Sequence, residues 1–259
     1  MKNDSLGDRM KEYERASSST LPRRLPIIVR VDGRGFHSAT RGLAKPFDLD
    51  LVEALNRTAV EVCSNVMGAQ LAYSQSDEVS FLLHGYKSIY SQPYFLNVTQ
   101  KLVSVIASEF TAYFAEVKPS KMRRRRTTFD ARAFVVPEND VNNYFLWRQQ
   151  DAQRNAISMF ARTLFSAKAL QNVNQIRVKE MILEKTGKTY AESTPSWFRD
   201  GRVTLLSESK WVTQSAPSFR DDPNFINRLL LTQEELIQKV LQSPHQNPHQ
   251  GSTLSRLFE

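Results

Sequence analysis

Apolar residues in the first part of the chain recur with two periods, one typical of strands and the other typical of helices. The run at 26–31 is short, rich in β-branched residues and flanked by proline and glycine, so it predicts a strand that ends at Asp32. Between 48 and 67, apolar residues recur at spacings of three and four, which predicts an amphipathic helix. Asp48 is the expected N-cap of this helix, and Gly68 is its expected stop.

Two further strands, a second long helix and a fourth strand follow. Strands are predicted at 70–74 and 79–84, with polar residues at the tip of the hairpin between them. A helix at 93–117 and a strand at 129–136 come next. The order βαββαβ predicts an α+β fold of the ferredoxin-like type, in which both helices cover one face of an antiparallel sheet and the other face stays open.

The rest of the chain is predicted to be a mostly helical extension, residues 138–242, that completes the fold. Its helices are expected at 140–167, 173–185 and 232–241. The last residues, 243–259, begin with a segment rich in Pro, Gln and His and are expected to form a mobile tail. Residues 1–137 are therefore interpreted as the first domain.

Charge and cysteine content narrow the classes of partner and compartment. The net charge of +8 and the pI near 9.6 favour anionic partners such as nucleic acid or nucleotides, although the same charge also serves solubility alone. The single cysteine, Cys63, lies on the apolar stripe of the first predicted helix, which favours a buried structural thiol in a reducing, cytoplasmic compartment. The charged residues 1–15 predict no secretory signal, and no apolar run is long enough to span a membrane.

Two aspartates stand where neighbouring strands are expected to end. Asp32 follows the first strand and Asp77 lies at the hairpin tip, so we expect their carboxylates to converge at one end of the sheet, with Glu78 beside them. Oxygen ligands close together favour Mg²⁺, and two such ions can activate an attacking hydroxyl and stabilise a leaving pyrophosphate. Each aspartate alone is also an ordinary turn residue; the pairing across adjacent strands is what favours a metal site.

The segment after the first strand has residues suited to phosphate binding. Gly33 and Gly35 allow backbone N–H groups to approach a phosphate closely, and Arg34, His37 and Lys45 can neutralise a triphosphate. A glycine pair is also typical of a plain turn, so this segment alone does not establish a nucleotide site.

A run of cations separates the second predicted helix from the fourth strand. This basic loop contains Lys121, Arg123, Arg124, Arg125 and Arg126. It can grip an RNA backbone, or it can be a solvated surface between two elements. The three tryptophans are expected to lie mostly in the core, except that Trp197, beside basic residues, is expected to be available for base stacking.

Six segments, in the same order along the chain, resemble the tRNA-His guanylyltransferase superfamily, the 3′-to-5′ polymerases. Two segments are highly specific at their separation: Arg-Val-Asp-Gly-Arg-Gly-Phe-His at 30–37 and Ala-Tyr-Ser-Gln-Ser-Asp-Glu at 72–78. The other four segments lie at 6–14, 44–46, 129–132 and 147–149. The resemblance covers about the first 160 residues of the sequence and is weak beyond them.

The resemblance implies a palm-like catalytic domain at 1–137 and a set of site residues. It implies two Mg²⁺ ions held by Asp32, the Gly33 carbonyl and Asp77, with Asp32, Asp77 and Glu78 as the catalytic carboxylates. The implied nucleotide contacts are Asp32, Gly33, Arg34, Gly35, Phe36, His37, Lys45, Ser76 and Asp77. The implied RNA contacts are the basic loop together with Arg132, Arg154 and Asn155.

The same resemblance implies an activity on tRNA. Members of the family activate a 5′-monophosphate RNA end with ATP, and the 3′-hydroxyl of an incoming GTP or other nucleoside triphosphate then attacks that end and releases AMP. A homotetramer is also implied.

One departure from the family pattern bears on the substrate. Enzymes specific for tRNA-His carry His-Ile-Asn-Asn after Trp-Arg-Gln, whereas this chain has Gln153-Arg154-Asn155-Ala156. This difference resembles the guanylyltransferase-like branch, which repairs 5′-truncated tRNAs by copying the opposite strand. A dedicated tRNA-His guanylyltransferase is the alternative; a palm-type nucleotide cyclase and a non-catalytic RNA-binding module are more distant ones.

Overall fold

The computed structural model describes residues 5–22, 25–84 and 97–230, and within them one antiparallel sheet runs through the molecule. Its spatial order is β4-β1-β3-β2-β5-β6. The strands are β1 (Ile27–Gly33), β2 (Ala69–Gln75), β3 (Glu78–Leu83), β4 (Phe129–Val135), β5 (Arg202–Ser207) and β6 (Lys210–Ser215). The first four strands are those expected of a ferredoxin-like sheet, in the expected order.

Helices occupy both faces and the periphery of this sheet. They are α1 (Leu6–Ala16), α2 (Phe36–Ala39), α3 (Leu49–Asn65), α4 (Thr99–Val117), α5 (Glu138–Leu164), α6 (Gln175–Thr186), α7 (Tyr190–Ser193), α8 (Ser196–Asp200) and α9 (Phe225–Leu230). Asp48 caps α3 as predicted, because its side chain accepts a hydrogen bond from the Leu51 amide. None of the described helices combines the length and apolar character that a membrane span requires.

Helices α3 and α4 pack on the same face of the sheet, as predicted. Alternate residues of the central strands, such as Val29 and Phe81, point to this face and pack against Leu55, Ile106 and other buried side chains of the two helices. Cys63 is 2 % exposed in this layer, and burial raises the pKa of its thiol, so the prediction of a buried cysteine is confirmed.

The opposite face of the sheet is not open, and here the sequence-based expectation is wrong. Helix α5 covers it, and its Phe145 packs with Ile28, Leu82 and Phe219 in a second apolar cluster. The prediction failed because the four-strand ferredoxin-like pattern says nothing about where a following long helix packs.

Strands β5 and β6 were also missed, since the C-terminal region was expected to be mostly helical. They form a hairpin that extends the sheet beyond β2. Its turn residues, Glu208 and Ser209, both have positive φ, at 48° and 65°. Such turns usually carry Asn or Gly, so the usual hairpin signal is lacking in this sequence.

Several helix ends also differ from the predictions. Helix α4 begins at Thr99, whereas the predicted helix began near residue 93. Residues 93–96 of the predicted helix lie outside the described ranges. Helix α1 was not predicted. The predicted helix at 232–241 and the tail at 243–259 lie outside the described residues.

Candidate active site

Carboxylates gather at one end of the central strands. In register, Asp32 on β1 stands opposite Glu78 on β3 and Asp130 on β4. Directly opposed residues of antiparallel strands point to the same face, so these three side chains form a row on the α5 side of the sheet. The sequence predicted Asp32 and Glu78 here but not Asp130, whose place depends on the β1–β4 register.

Asp77 approaches this row from the β2–β3 turn. A Cβ atom built on Gly33 would lie 2.8 Å from Asp77 Oδ2 and 2.6 Å from a ring carbon of Phe36, so a side chain at residue 33 would displace both neighbours. Ser76 has a φ of 52°, which turns the chain sharply enough to bring Asp77 inward. The structure therefore brings Asp32, Gly33 and Asp77 together, as the sequence predicts.

The segment between β1 and α2 is shaped by the same residues. Gly35 has a φ of 59° and immediately precedes α2. Phe36 is buried with its ring centroid 5.7 Å from that of Phe114 and 5.5 Å from that of Phe129. This anchor fixes the loop against the core, so Phe36 is mainly a packing residue that also lines the cleft described below.

The acidic side chains differ in how their charges are compensated. Glu78 accepts two hydrogen bonds from Arg148, from Nε at 2.7 Å and from Nη2 at 2.8 Å, and Arg30 Nε lies 3.8 Å away. Within the described ranges, neither Asp32 nor Asp77 has a Lys, Arg or His nitrogen within 4.0 Å. Burial, and then the nearby charge of Asp32, raise the pKa of the Asp77 carboxyl.

This pattern separates the roles of the acidic residues. Glu78 is paired bidentately with Arg148, which fixes the end of β3 to α5, and its predicted role as a catalytic carboxylate stays a prediction. The two unpaired carboxylates of Asp32 and Asp77 fit Mg²⁺, which is commonly held by one or two carboxylates together with water and substrate phosphates. The described residues contain no group of three or more His, Cys, Asp or Glu arranged to hold a metal by themselves.

A cleft of about 780 Å³ opens beside Asp77. It is lined by five of the predicted nucleotide-binding residues: Phe36, His37, Lys45, Ser76 and Asp77. Arg34 and Gly35 are exposed and do not line it. Its other walls include residues that were not predicted to contact a nucleotide, namely Phe47, Leu51, Leu55, Arg162, Phe198 and Arg202.

Trp197 also lines this cleft, with its ring centroid 4.7 Å from that of Phe47 in an edge-to-face contact. Its ring is half-buried. That Trp197 stacks on a base stays a prediction, and its position in the cleft suits that role. Trp147 departs from the expected core position, because it is 49 % exposed beneath the Arg148 guanidinium.

A second groove of about 420 Å³ runs along the carboxylates. Asp32, Asp77 and Glu78 form one wall, and α5 forms the other through Asp151, Asn155 and neighbouring residues. Arg162 lines both the groove and the cleft. Of the two unpaired carboxylates, Asp77 lines both hollows, whereas Asp32 lines the groove alone.

The predicted RNA-binding residues fall into separate groups. Lys121, Arg123, Arg124 and Arg126 are exposed on the basic loop after α4. Arg125 differs, because its Nη1 donates to the Ala39 carbonyl at 2.7 Å and to the Arg41 carbonyl, which ties the loop to the segment after α2.

Arg132 and Arg154 lie elsewhere and have acidic neighbours. Arg132 is 3.9 Å from Asp130, and Arg154 is 2.9 Å from Asp151. Asn155 lines the groove itself.

The fold and the site together define a class of protein: an α+β palm-like domain of the kind that carries nucleotidyl transfer. The model of the tRNAHis guanylyltransferase family matches residues 7–137. A tRNA(His) guanylyltransferase of Neurospora crassa is 33 % identical over 82 % of this chain and 71 % of its own. The chain belongs to the tRNA(His) guanylyltransferase family and is a nucleotidyltransferase.

Solved structures agree with this membership. A bacterial tRNA(His) guanylyltransferase (Thg1)-like protein in complex with ATP is 42 % identical, with a TM-score of 0.83 over 87 % of this chain and 99 % of the other. Another structure with the same description, in complex with GTP, is 38 % identical over the same shares, with a TM-score of 0.74. The Saccharomyces cerevisiae tRNA(His) guanylyltransferase, at 22 % identity and a TM-score of 0.66 over 81 % of this chain and 98 % of its own, shares the fold.

Proposed function

We propose that this enzyme adds nucleotides in the 3′-to-5′ direction to the 5′ end of tRNA and selects them by pairing with the opposite strand. The observation that carries the proposal is the pair of unpaired carboxylates: Asp32 lines the second groove, and Asp77 lines both that groove and the nucleotide-sized cleft. One hollow suits an activating or incoming nucleotide, and the other suits the RNA end that receives it.

The reaction has two displacement steps. In the first, an oxygen of the RNA 5′-phosphate attacks the α-phosphorus of ATP, and pyrophosphate leaves. In the second, the 3′-hydroxyl of an incoming nucleoside triphosphate attacks the activated 5′-phosphorus, its proton is lost, and AMP leaves.

The chain's own residues orient these groups. Two Mg²⁺ ions held by Asp32 and Asp77 would supply charge stabilisation and lower the pKa of the attacking hydroxyl. His37 and Lys45 line the same cleft as Asp77, which supports a role for them in binding the triphosphate. Arg162 lines both hollows, which supports a role for it in holding a phosphate between them.

The geometry of the segment 153–156 supports repair rather than recognition of one tRNA. Gln153 Nε2 donates to Asp200 Oδ1 at 2.8 Å, Arg154 is paired with Asp151, and Ala156 is buried. Only Asn155 of this segment lines the groove. Because few side chains here are left to read base edges, Watson–Crick pairing is the proposed source of selectivity, and the exposed basic loop is the proposed grip on the RNA backbone.

The test is a panel of tRNAs that lack their first nucleotide, carry a 5′-monophosphate and differ in the opposing base. Each is incubated with ATP, Mg²⁺ and one nucleoside triphosphate, and the 5′ end is scored for lengthening. We expect several tRNAs to be extended with the nucleotide complementary to the opposing base. Extension of tRNA-His alone, or addition of G opposite every base, would establish the dedicated guanylyltransferase instead.

Two controls address the more distant alternatives. Incubation with a nucleoside triphosphate alone should yield no cyclic product, whereas a cyclase would need no RNA. Mg²⁺-dependent turnover excludes a non-catalytic RNA-binding module. A homotetramer and a cytoplasmic location are also proposed, and light scattering and fractionation test them respectively.

A further inference from the structure

One large aromatic side chain stands exposed beside the second groove. Trp147 is 49 % exposed. It precedes Asp151 on α5 by four residues, about one helical turn, and residues with this spacing lie on the same side of a helix. Since Asp151 lines the groove, Trp147 lies at the end of the groove nearer the start of α5.

The ring of Trp147 is held in a fixed orientation. The Arg148 guanidinium lies 4.5 Å from the ring centre and is itself fixed by two hydrogen bonds to Glu78. The ring centroid of Tyr144 lies 5.9 Å from that of Trp147, and the Tyr144 hydroxyl is 2.8 Å from the Ser80 hydroxyl. Both neighbours of the ring are therefore tied to β3. A ring that is already fixed and still half exposed can bind a ligand with little further loss of conformational freedom.

Trp147 is also close to the carboxylates of the site. Only Arg148 separates its ring from Glu78, and Glu78 stands opposite Asp32 across the sheet. In the proposed function the 5′ end of the RNA enters this groove, so its terminal nucleotide comes within reach of the ring.

The charges around Trp147 suit RNA better than a second protein chain. Arg154 lies two turns further along α5, and its side chain is 51 % exposed. Arg132 points to the same side of the sheet as Asp130, since alternate residues of a strand share a face, and its side chain is 54 % exposed. A guanidinium has five N–H donors, so the nearby aspartate of each arginine leaves donors for an RNA phosphate.

We propose that Trp147 stacks on the base of the 5′-terminal nucleotide of the RNA and thereby holds that end at the carboxylates. Stacking uses the π face that every base has, so it tolerates any sequence. It therefore suits an enzyme that extends tRNAs with different terminal bases. This inference rests on the proposed function, because it assumes that the groove receives the RNA end.

The experiment compares two RNAs as ligands of the full chain, with Mg²⁺ and without nucleoside triphosphates. Both are 5′-monophosphorylated tRNAs that lack their first nucleotide. In the second RNA the 5′-terminal nucleotide is abasic but keeps its sugar and phosphate. The unsubstituted protein should bind the intact RNA about 10-fold more tightly than the abasic RNA.

Two substitutions at residue 147 separate stacking from other roles of the side chain. Trp147→Leu should weaken binding of the intact RNA about 10-fold and change binding of the abasic RNA less than about 3-fold. Trp147→Phe should bind the intact RNA within about 3-fold of the unsubstituted protein, because a phenyl ring still stacks. Tyr13→Leu is the matched control and should bind both RNAs as the unsubstituted protein does. Tyr13 is likewise an exposed aromatic residue, at 67 %, but it lies on α1 and lines neither hollow.

Four results would overturn the proposal. An equal loss for both RNAs in Trp147→Leu would mean that the ring only supports Arg148, and no loss would mean that it does not contact the RNA. A lower molecular mass of Trp147→Leu in light scattering would make Trp147 a contact between copies of the chain. Loss of the preference for the intact RNA in Tyr13→Leu would mean that the effect is not specific to Trp147.

Failure of this inference is distinguishable from failure of the proposed function. Equal binding of the two RNAs by the unsubstituted protein overturns the stacking and leaves template-directed extension as it is. Absence of 5′ extension overturns the proposed function and leaves the measured binding preference as it is.

Discussion

The bidentate pair between Glu78 and Arg148 offers a quantitative test of how the site is held together. The side chains are 18 % and 10 % exposed, and two hydrogen bonds of 2.7 and 2.8 Å join them. Arg148→Met removes the cation but leaves the Glu78 carboxylate in the same surroundings. Breaking one side of a buried pair costs about 3–5 kcal/mol, and Arg30 at 3.8 Å reduces the loss toward the lower value.

The measurement is thermal and urea unfolding at neutral pH. At about 2–4 °C per kcal/mol for a chain of this size, the variant should melt about 6–20 °C lower. Arg177→Met is the matched control, because Arg177 also pairs with a glutamate, Glu184, at 2.7 Å, but both side chains are at least half exposed. Its melting temperature should change far less, because water screens an exposed ion pair.

The pH dependence gives a second readout. Burial raises the pKa of the Glu78 carboxyl although Arg148 lowers it, so removal of Arg148 raises that pKa further. A carboxyl whose pKa rises on folding stabilises the native state when protonated, and that stability is lost as pH rises through the folded pKa. The destabilisation of Arg148→Met should therefore shrink as pH falls through the raised pKa of Glu78. Equal losses in the two variants, or a loss independent of pH, would refute the assignment of Glu78 as a buried charge held by Arg148.

Four further outcomes are expected. Asp32→Asn and Asp77→Asn should each abolish nucleotide addition in single-turnover assays while melting at or above the original temperature, because neutralisation relieves repulsion between two unpaired carboxylates. Replacing the exposed arginines of the basic loop by glutamine should flatten the log–log salt dependence of tRNA affinity by about 0.7–0.9 per lost phosphate contact. Arg125→Gln should instead lower stability, measured by urea unfolding, because this side chain binds backbone carbonyls. Cys63 should resist alkylation by iodoacetamide at pH 8 until the protein unfolds, as mass spectrometry would show.

Local patterns predicted the parts of the fold that depend on short stretches of chain. The hairpin at 69–83 and the α3 helix were readable because alternation, periodicity and caps act within a few residues. The meeting of Asp32 and Asp77 was also predictable, because a strand end and a hairpin tip become neighbours once β1 and β3 pair.

Long-range packing was not predictable in the same way. The position of α5 over the second face, and the β5–β6 hairpin at the edge of the sheet, depend on tertiary contacts rather than on any local signal. The role of Glu78 depends on Arg148, which lies 70 residues away in the chain.

Arg202 shows the same limit at the level of a single side chain, because its neighbour Ser74 is brought to it by the β2–β5 pairing and its partner Asn56 by α3. In the sequence it was one basic residue among many, and nothing there distinguished it from Arg199, three positions earlier. Burial distinguishes them, since Arg199 donates to backbone carbonyls whereas Arg202 is 6 % exposed and its buried Nη2 has no hydrogen-bond partner. The surroundings of a cation are therefore fixed by the strands and helices that the fold brings to it, and its position in the sequence does not reveal them.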